Sequence, residues 1–381
     1  MGNLFDTTGA AMSIIRYLAI FCVYQVAVHG LHAQSAQQVD LKTPLTLFTD
    51  PKQFEEGKKD RTLLNQISDL ISATPTGEEI TVCVFKFELE KLAQELIDAQ
   101  ERGIKVRVIL NKGDTSKETN KEVKDLLQLE LPDFHWIENK ISDKGIIHNK
   151  FILFSRIEST DGPIHHLVLQ TSSNFQKKGA KKLQDMLIVT SPELYYCFLD
   201  FWFEIKVLGR ADRLENFNYF SCSDQKGNKA YFFPKRRDQK SHGADNVLKA
   251  LKDVKHPKHT KIRFAHGKWD ENREDLVEQL QKLKEMGAVV EVVTNTDVDK
   301  DVRKELKNLQ QGIYYLDDSY KLHTKFFLIQ EGSKKQVWTG SHNLTERSLR
   351  ENFEVLLKID DHQVYESYLE YFNEIKALAR P

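Results

Sequence analysis

The chain has 381 residues, of which 40% are hydrophobic and 29% are charged, and its formal net charge is −1. This length exceeds that of a usual single domain and predicts two domains or two fused repeats. The composition is that of a globular protein, and the near-neutral charge excludes a global attraction to nucleic acid or anionic lipid, so any basic binding surface must be local.

Residues 1–36 have the pattern of a targeting segment. Arg16 precedes an apolar run at 17–28, and small residues follow at Gly30, Ala33 and Ala36. The run is short for a membrane span and typical of a signal peptide. We therefore expect export to a secreted or periplasmic location; the alternatives are a buried N-terminal helix and an uncleaved anchor.

Loss of this leader removes Cys22 and leaves Cys83, Cys197 and Cys222. Cys83 lies in an apolar strand pattern and is interpreted as a core thiol. Cys197 and Cys222 flank the join between the two repeats and can form one bridge in an oxidising compartment. No spacing of Cys and His resembles a zinc site.

The first repeat, residues 41–207, alternates apolar strands with helices. Strands are predicted at 45–49, 80–87 and 104–110, and helices at 90–102, 117–129 and 192–207. Gly103 ends the first of these helices. Apolar strands that alternate with helices indicate an α/β fold whose sheet is largely buried between helices.

The second repeat, residues 231–378, has the same order after a predicted linker at 208–230. A strand at 262–266, a helix at 271–286 that ends at Gly287, and a strand at 288–293 repeat the first half, and an aromatic helix closes each repeat. This correspondence predicts a duplication.

Each repeat carries His-x-Lys in a strand pattern, followed by Ser-x-Asn. The first copy is His148, Lys150, Ser172 and Asn174, and the second copy is His323, Lys325, Ser341 and Asn343. Residues i and i+2 of a strand point to the same face, so each imidazole projects beside an ammonium group. Two such pairs suit the attack on a phosphodiester and the stabilisation of its charge.

This pair of motifs resembles the phospholipase D superfamily, whose signature is His-x-Lys followed by an Asp and by Gly-Ser-x-Asn. The resemblance covers roughly residues 41–378. The signature Asp falls on Ser155 and Gln330, and the first-copy Gly falls on Thr171; in the family that Asp supports the site and does not react. The resemblance implies two pseudo-symmetric α/β/α sandwich repeats whose motif strands share one central active site, for which a monomer suffices.

The resemblance also implies residue roles. His148 would form the phosphohistidine and His323 would act as general acid and base, with the reverse assignment as the alternative. Lys150, Lys325, Asn174 and Asn343 would bind the non-bridging oxygens, with Ser172 and Ser341 as hydrogen-bond supports. Two lysines supply what a divalent ion supplies elsewhere, so no metal or cofactor is implied.

Glu354 matches a family carboxylate that orients a catalytic histidine, and Asp185 is interpreted as its first-half counterpart; the alternative for each is a solvated charge. Glu351 and Glu354 are expected to raise the proton affinity of His323, which would leave His148 as the neutral nucleophile.

The leading functional hypothesis is a metal-independent phosphodiesterase that acts on phospholipid. Its rivals are a nuclease of the same superfamily and a non-catalytic binding protein derived from the enzyme. A basic cluster, Lys177, Lys178, Lys181 and Lys182, lies near the mouth of the expected site and suits either a head-group surface or a nucleic-acid backbone; the alternative is a solvated face. Trp269 and Trp338 are expected in the core, with a pocket wall as the alternative.

Overall fold

The computed structural model describes residues 36–113, 117–177, 182–210 and 216–379. Residues 1–35, and with them nearly all of the predicted leader, lie outside the described residues. Within the described ranges, no helix is both long enough and apolar enough to cross a membrane.

The first half contains a seven-stranded sheet. Its strands and one short extra strand are Leu45–Phe48 (β1), Glu79–Val84 (β2), Lys105–Asn111 (β3), Asp133–Ile137 (β4), Lys150–Ser159 (β5), Gly162–Thr171 (β6), Lys182–Leu183 (β7) and Asp185–Thr190 (β8). Its helices are Pro51–Glu55 (α1), Thr62–Ser72 (α2), Glu90–Glu101 (α3), Lys117–Glu130 (α4) and Pro192–Leu208 (α5). The strand order is β1-β8-β6-β5-β2-β3-β4.

The second half contains an eight-stranded sheet. The strands of this half are Phe220–Ser223 (β9), Lys229–Phe233 (β10), Arg236–Arg237 (β11), Lys240–Ser241 (β12), Thr260–His266 (β13), Val289–Asn295 (β14), Ile313–Leu316 (β15), Lys321–Leu322 (β16), Lys325–Glu331 (β17), Lys334–Gly340 (β18) and Glu354–Ile359 (β19). Its helices are Asn246–Lys252 (α6), Glu274–Glu285 (α7), Lys300–Lys307 (α8), Glu346–Arg350 (α9) and His362–Leu378 (α10). The strand order is β15-β14-β13-β17-β18-β19-β10-β9.

The two sheets have the same construction. Strands β2, β3 and β4 are parallel and β2 pairs antiparallel with β5; in the second half β13, β14 and β15 are parallel and β13 pairs antiparallel with β17. The predicted duplication is therefore confirmed. Strand β9 and the first residues of β10 lie in the segment 208–230 that the sequence assigns to the linker, so the second sheet begins before residue 231.

Helices α5 and α10 lie between the two sheets and share one apolar core with both of them. Ser191 caps α5 by accepting from the Leu194 N–H, Pro192 begins the helix, and the apolar side chains that follow bury it against both layers. The Trp202 Nε1–H donates to the Val82 carbonyl oxygen at 2.9 Å and ties α5 to the first sheet. Helices α2–α4 cover the outer face of the first sheet and α6–α8 that of the second, so the predicted α/β/α fold class is confirmed.

Short backbone pairings join the halves beside the motifs. Strand β7 runs parallel to β16, and Ile147 forms a bridge with Phe353. The predicted Cys197–Cys222 bridge is present and links α5 to β9, with Cα atoms 6.6 Å apart. Cys83 is a buried free thiol, as expected.

Candidate active site

The two motif histidines meet at the junction of the halves. The backbone N–H of His148 donates to the Phe353 carbonyl oxygen at 2.9 Å, and that of His323 donates to the Leu183 carbonyl oxygen at 2.9 Å. Each histidine is therefore anchored to the half that does not contain it. The motif strands form one pseudo-symmetric site, as the resemblance implied.

A buried carboxylate from the second half orients the histidine of the first half. The Nδ1–H of His148 donates to Glu354 Oε2 at 2.9 Å. Three further donors hold this carboxylate: Ser341 Oγ at 2.6 Å, Ser348 Oγ at 3.0 Å and Asn352 Nδ2 at 3.2 Å. Burial alone would raise the pKa of Glu354, but the charge and hydrogen bond of His148 bring it down to about 2. The ionised carboxylate fixes the proton on Nδ1 and leaves Nε2 free for chemistry.

Gln184 occupies in the first half the position that Glu354 occupies in the second. Gln184 directly follows Leu183, whose carbonyl oxygen accepts from the His323 N–H. Glu354 directly follows Phe353, whose carbonyl oxygen accepts from the His148 N–H. The Nδ1 atom of His323 is buried and has no hydrogen-bond partner in the described part of the chain. Two predictions are therefore corrected: the strand equivalent of Glu354 is Gln184 and not Asp185, and Glu354 contacts His148 and not His323.

Asp185 acts instead on the lysine of the second half. Its Oδ2 accepts from Thr339 Oγ1 at 2.6 Å and from the Tyr368 hydroxyl at 2.9 Å. The side chain is 1% exposed and faces helix α10 and strand β18. Its negative charge opposes the effect of burial on the pKa of Lys325. Asp185 is thus a buried supporting group, but it is not the carboxylate of His323.

The two serines of the Ser-x-Asn segments bond the first residues of β8 and β19, the strands that begin with Asp185 and Glu354. Ser172 Oγ accepts from the Asp185 N–H at 3.0 Å, and Ser341 Oγ accepts from the Val355 N–H at 3.1 Å. Asn174 is 5% exposed, and its Oδ1 is buried without a partner in the described part of the chain. Asn343 is half-buried, and the contact of both amides with substrate oxygens stays a prediction.

The glycine that the first copy lacks is required only in the second copy. A Cβ atom on Gly340 would lie 2.1 Å from the Val355 carbonyl oxygen. At the matching position Thr171 has room, and its Oγ1 donates to the Asp185 carbonyl oxygen at 2.7 Å.

The profile of the family described as "Cardiolipin synthase, PLD-like domain" matches residues 67–203 and 251–376, which is more than half of the chain. The chain belongs to this PLD-like domain family. Enzymes of the phospholipase D superfamily act on phosphodiester bonds. No sequence among the curated proteins matches this chain.

Solved structures that share the fold of this PLD-like chain include the following two. Phosphatidylserine synthase of Haemophilus influenzae Rd KW20 is 13% identical with a TM-score of 0.60, and the alignment covers 93% of this chain and 91% of that chain. Polyphosphate kinase of Porphyromonas gingivalis is 14% identical with a TM-score of 0.58, and the alignment covers 87% of this chain. The chain spans 50% of the length of the kinase.

The motif lysines of the PLD-like site are buried beside the histidines. The Nζ atom of each donates to the carbonyl oxygen of the histidine two positions earlier, at 2.6 Å in both copies. Burial lowers the pKa of Lys150 well below its usual value and lowers that of Lys325 to about 7, although nearby carboxylates oppose the shift. The negative charge of a substrate phosphate between the two lysines would favour their protonated forms.

Both motif histidines are neutral at neutral pH when no substrate is bound. Burial is the main cause: it lowers the pKa of His148 to about 4 against the pull of Glu354, and lowers that of His323 well below the usual value, with Lys325 adding to the effect. The expectation that acidic neighbours raise the proton affinity of His323 is therefore wrong. Glu351 accepts from Ser142 Oγ at 3.2 Å and does not bond His323.

The positions of the missing signature Asp lie away from the reaction centre. Ser155 and Gln330 each follow the motif lysine by five residues, which is about 17 Å along a strand. Ser155 donates to Glu78 Oε2 at 2.7 Å, and Gln330 accepts from the Tyr365 hydroxyl at 3.5 Å. Neither replacement removes a group from the space between the histidines.

Part of the predicted basic cluster reaches the site. The charge of Lys182 lowers the pKa values of Lys150, His323 and Lys325, so its ammonium group lies near all three. Lys178 and Lys181 lie outside the described residues. Lys268, whose charge also acts on Lys325, and Gln184 lie outside the sequence motifs. The registers of the matching strand pairs identify Gln184 as the equivalent of Glu354.

Proposed function

We propose that the chain is a phospholipase D-type hydrolase that cleaves phospholipid phosphodiester bonds through a phosphohistidine on His148. One observation carries this assignment of roles: the carboxylate of Glu354 bonds His148 at 2.9 Å, whereas His323 has Gln184 at the equivalent place. A carboxylate stabilises a positively charged imidazole ring, and a phosphohistidine carries such a ring. The carboxylate-bonded histidine is therefore the better nucleophile.

In the first step Nε2 of His148 forms a bond to phosphorus and the bond from phosphorus to the leaving oxygen breaks. The proton on Nδ1 remains shared with Glu354, which offsets the positive charge that develops on the ring. Lys150 and Lys325 stabilise the non-bridging oxygens. Protonated His323 transfers its proton to the leaving oxygen and becomes neutral.

In the second step neutral His323 takes a proton from water while the water oxygen attacks phosphorus. The bond between phosphorus and His148 breaks, the phosphomonoester leaves, and both histidines return to their starting states. The anionic substrate supplies the negative charge that raises the pKa of His323 in the complex, since burial among lysines depresses it in the free protein.

Two features support phospholipid as the substrate. The family description names cardiolipin synthase, and a formal net charge of −1 provides no overall attraction to nucleic acid. A specific observation favours the rival nuclease: Lys182 and Lys268 add positive charge beside Lys325, which suits a chain of phosphates. The third hypothesis, a non-catalytic binding protein, is based on the absence of the signature Asp at Ser155 and Gln330. Both positions lie far from the histidines, so this absence gives little support to a loss of catalysis.

Purified protein assayed in EDTA against phosphatidylcholine vesicles and against single-stranded DNA separates these hypotheses. Release of choline that is lost in His148→Ala supports the phospholipase. Cleavage of DNA without release of choline replaces it with the nuclease, and no turnover on either substrate favours the binding protein.

We also propose that the chain is exported. The leader pattern at 1–36 and the Cys197–Cys222 bridge support this, because disulfides persist in oxidising compartments. N-terminal sequencing of protein recovered from outside the cytoplasm tests it: a first residue between Gly30 and the end of this leader is expected, and an intact Met1 contradicts cleavage.

A further inference from the structure

A cavity of about 420 Å³ lies on the outer face of the second sheet, away from the motif histidines. Helix α6 covers this part of the sheet with seven residues, whereas α2 has eleven at the corresponding place in the first half. The shorter helix leaves the ends of β9, β10, β18 and β19 open. The cavity walls include Ser221, Lys229, Tyr231, Gln336, Trp338 and Lys358.

Two lysines of this cavity stand directly opposite each other on neighbouring strands. Lys229 of β10 is the register partner of Lys358 of β19, and Lys358 is in turn the register partner of Trp338 on β18. Like charges directly opposite in a sheet destabilise it. The folded chain therefore places two like charges side by side in the wall of this cavity, and an anion between them would turn the repulsion into attraction.

The protein's own acids balance only part of this charge. Lys358 pairs with Asp360 at 2.5 Å, and Lys249 pairs at 3.0 Å with Asp253, which itself lines the cavity. The Lys229 ammonium lies 5.1 Å from the centre of the Tyr231 ring, and no carboxylate of the described residues lies within 4.0 Å of it. Lys334 adds a fourth ammonium group to the wall.

The rest of the wall can bind hydroxyl groups. Trp338 is 5% exposed, and its Nε1–H is buried without a hydrogen-bond partner in the described part of the chain. Its indole stacks on the Tyr231 ring, with centroids 5.7 Å apart and planes 14° apart, and so forms a flat aromatic wall. Gln336, whose Nε2–H donates to Asp360 at 3.0 Å, and Ser221 add a carbonyl oxygen and a hydroxyl beside it.

We propose that this cavity is a second binding site, distinct from the active site, for a phosphorylated polyol. The phosphate groups lie between Lys229 and Lys358, and the ring hydroxyls face Ser221 and Gln336. This chemistry is shared by soluble inositol phosphates and by the head group of phosphatidylinositol phosphates. The site stands apart from the proposed function, because none of its wall residues belongs to the active site.

The test measures binding of inositol hexakisphosphate to the full mature protein in EDTA, by calorimetry and by tryptophan fluorescence, since Trp338 lines the cavity. The variant Lys229→Gln/Lys358→Gln is expected to lose affinity by about tenfold or more, because each lost ammonium removes a charge-assisted contact. The control is Lys261→Gln, an exposed lysine on β13 of the same sheet that does not line the cavity, and it is expected to bind like the wild type.

Four results would overturn the proposal. Unchanged affinity in Lys229→Gln/Lys358→Gln would exclude the lysine pair, and loss of binding in His148→Ala would place the ligand in the active site. A fall in Tm of more than about 5 °C in the paired variant would show that the lysines are structural, because relief of the like-charge contact should offset loss of the Lys358–Asp360 ion pair and leave Tm nearly unchanged. Inorganic phosphate that binds as tightly as the probe would refute the polyol contacts.

A second arm distinguishes the two sources of the ligand. Vesicles of phosphatidylcholine with and without phosphatidylinositol phosphate are sedimented with the protein. Sedimentation that needs both the inositol lipid and the lysine pair assigns the site to a lipid head group. Binding of the soluble probe without such sedimentation assigns it to a free polyol phosphate.

Discussion

The substitution Glu354→Gln tests the assignment of the two histidines most directly. It keeps the shape of a fully buried side chain and removes the negative charge that bonds His148 at 2.9 Å. With the charge centres about 4 Å apart and an effective dielectric constant of about 20, that charge stabilises a cationic imidazole by about 4 kcal/mol. Since about 1.4 kcal/mol corresponds to a factor of ten, formation of the phosphoenzyme should slow by about a thousandfold.

The assay follows the first turnover of bis(nitrophenyl) phosphate, in which the release of nitrophenolate reports attack by His148 without any need for a proton donor. The matched control is Glu291→Gln, a second poorly exposed carboxylate that pairs with Arg263 and Lys376 and does not contact the histidines. A rate for Glu354→Gln within about threefold of the wild type, with the fold intact by circular dichroism, would refute the role given to the carboxylate.

The other predictions concern protonation, the division of labour and stability. Burial lowers the pKa of Lys325 to about 7, so its positive charge is lost as pH rises through that value, and kcat/KM on phospholipid should fall several-fold between about pH 6 and about pH 8; a profile that rises over this range contradicts the scheme. On the nitrophenyl substrate, His148→Ala should abolish the trapped adduct while His323→Ala still forms it slowly, and the opposite pattern in acid-quenched samples would reverse the two roles. Replacing Cys197 and Cys222 by Ser should lower the free energy of unfolding by about 3 kcal/mol, because the bridge closes a loop of 25 residues; a denaturant midpoint equal to that of the oxidised protein would show that the bridge contributes nothing.

The duplicated motifs predict much of the site because they combine local and repeated information. In an extended chain, side chains two residues apart point to the same face, so His148 lies beside Lys150. The same pattern at His323 and Lys325 indicates that the two pairs share one cleft. The apolar periodicity of strands and helices likewise predicts the α/β fold class. These features depend on residues close together in the chain.

The error over the carboxylates has a physical cause. Asp185 follows Asn174 by eleven residues and Glu354 follows Asn343 by eleven, so equal spacing suggests that the two acids are equivalent. The strands pair differently: Thr171 is opposite Met186, whereas Gly340 is opposite Leu356. Residue 184 is therefore the equivalent of residue 354. Spacing along the chain does not reveal this shift of one residue, because the intervening connections differ.

The sequence of one repeat alone also does not predict that Glu354 bonds a histidine of the other half. The start of β19 lies beside Ile147 of the other half, and this contact delivers the carboxylate across the junction. Proximity in sequence favours His323, whereas the backbone pairing of the halves favours His148. Only the assembled structure decides between them.

Joining the two halves in one polypeptide changes what each can become. In a homodimer of single repeats, two-fold symmetry would place the same residue opposite both histidines. A change from Glu to Gln would then remove the carboxylate beside both of them. Here Glu354 and Gln184 occupy symmetry-related places and differ, which a symmetric dimer cannot achieve. A covalent tandem thus permits one imidazole to be tuned for attack and the other for proton transfer.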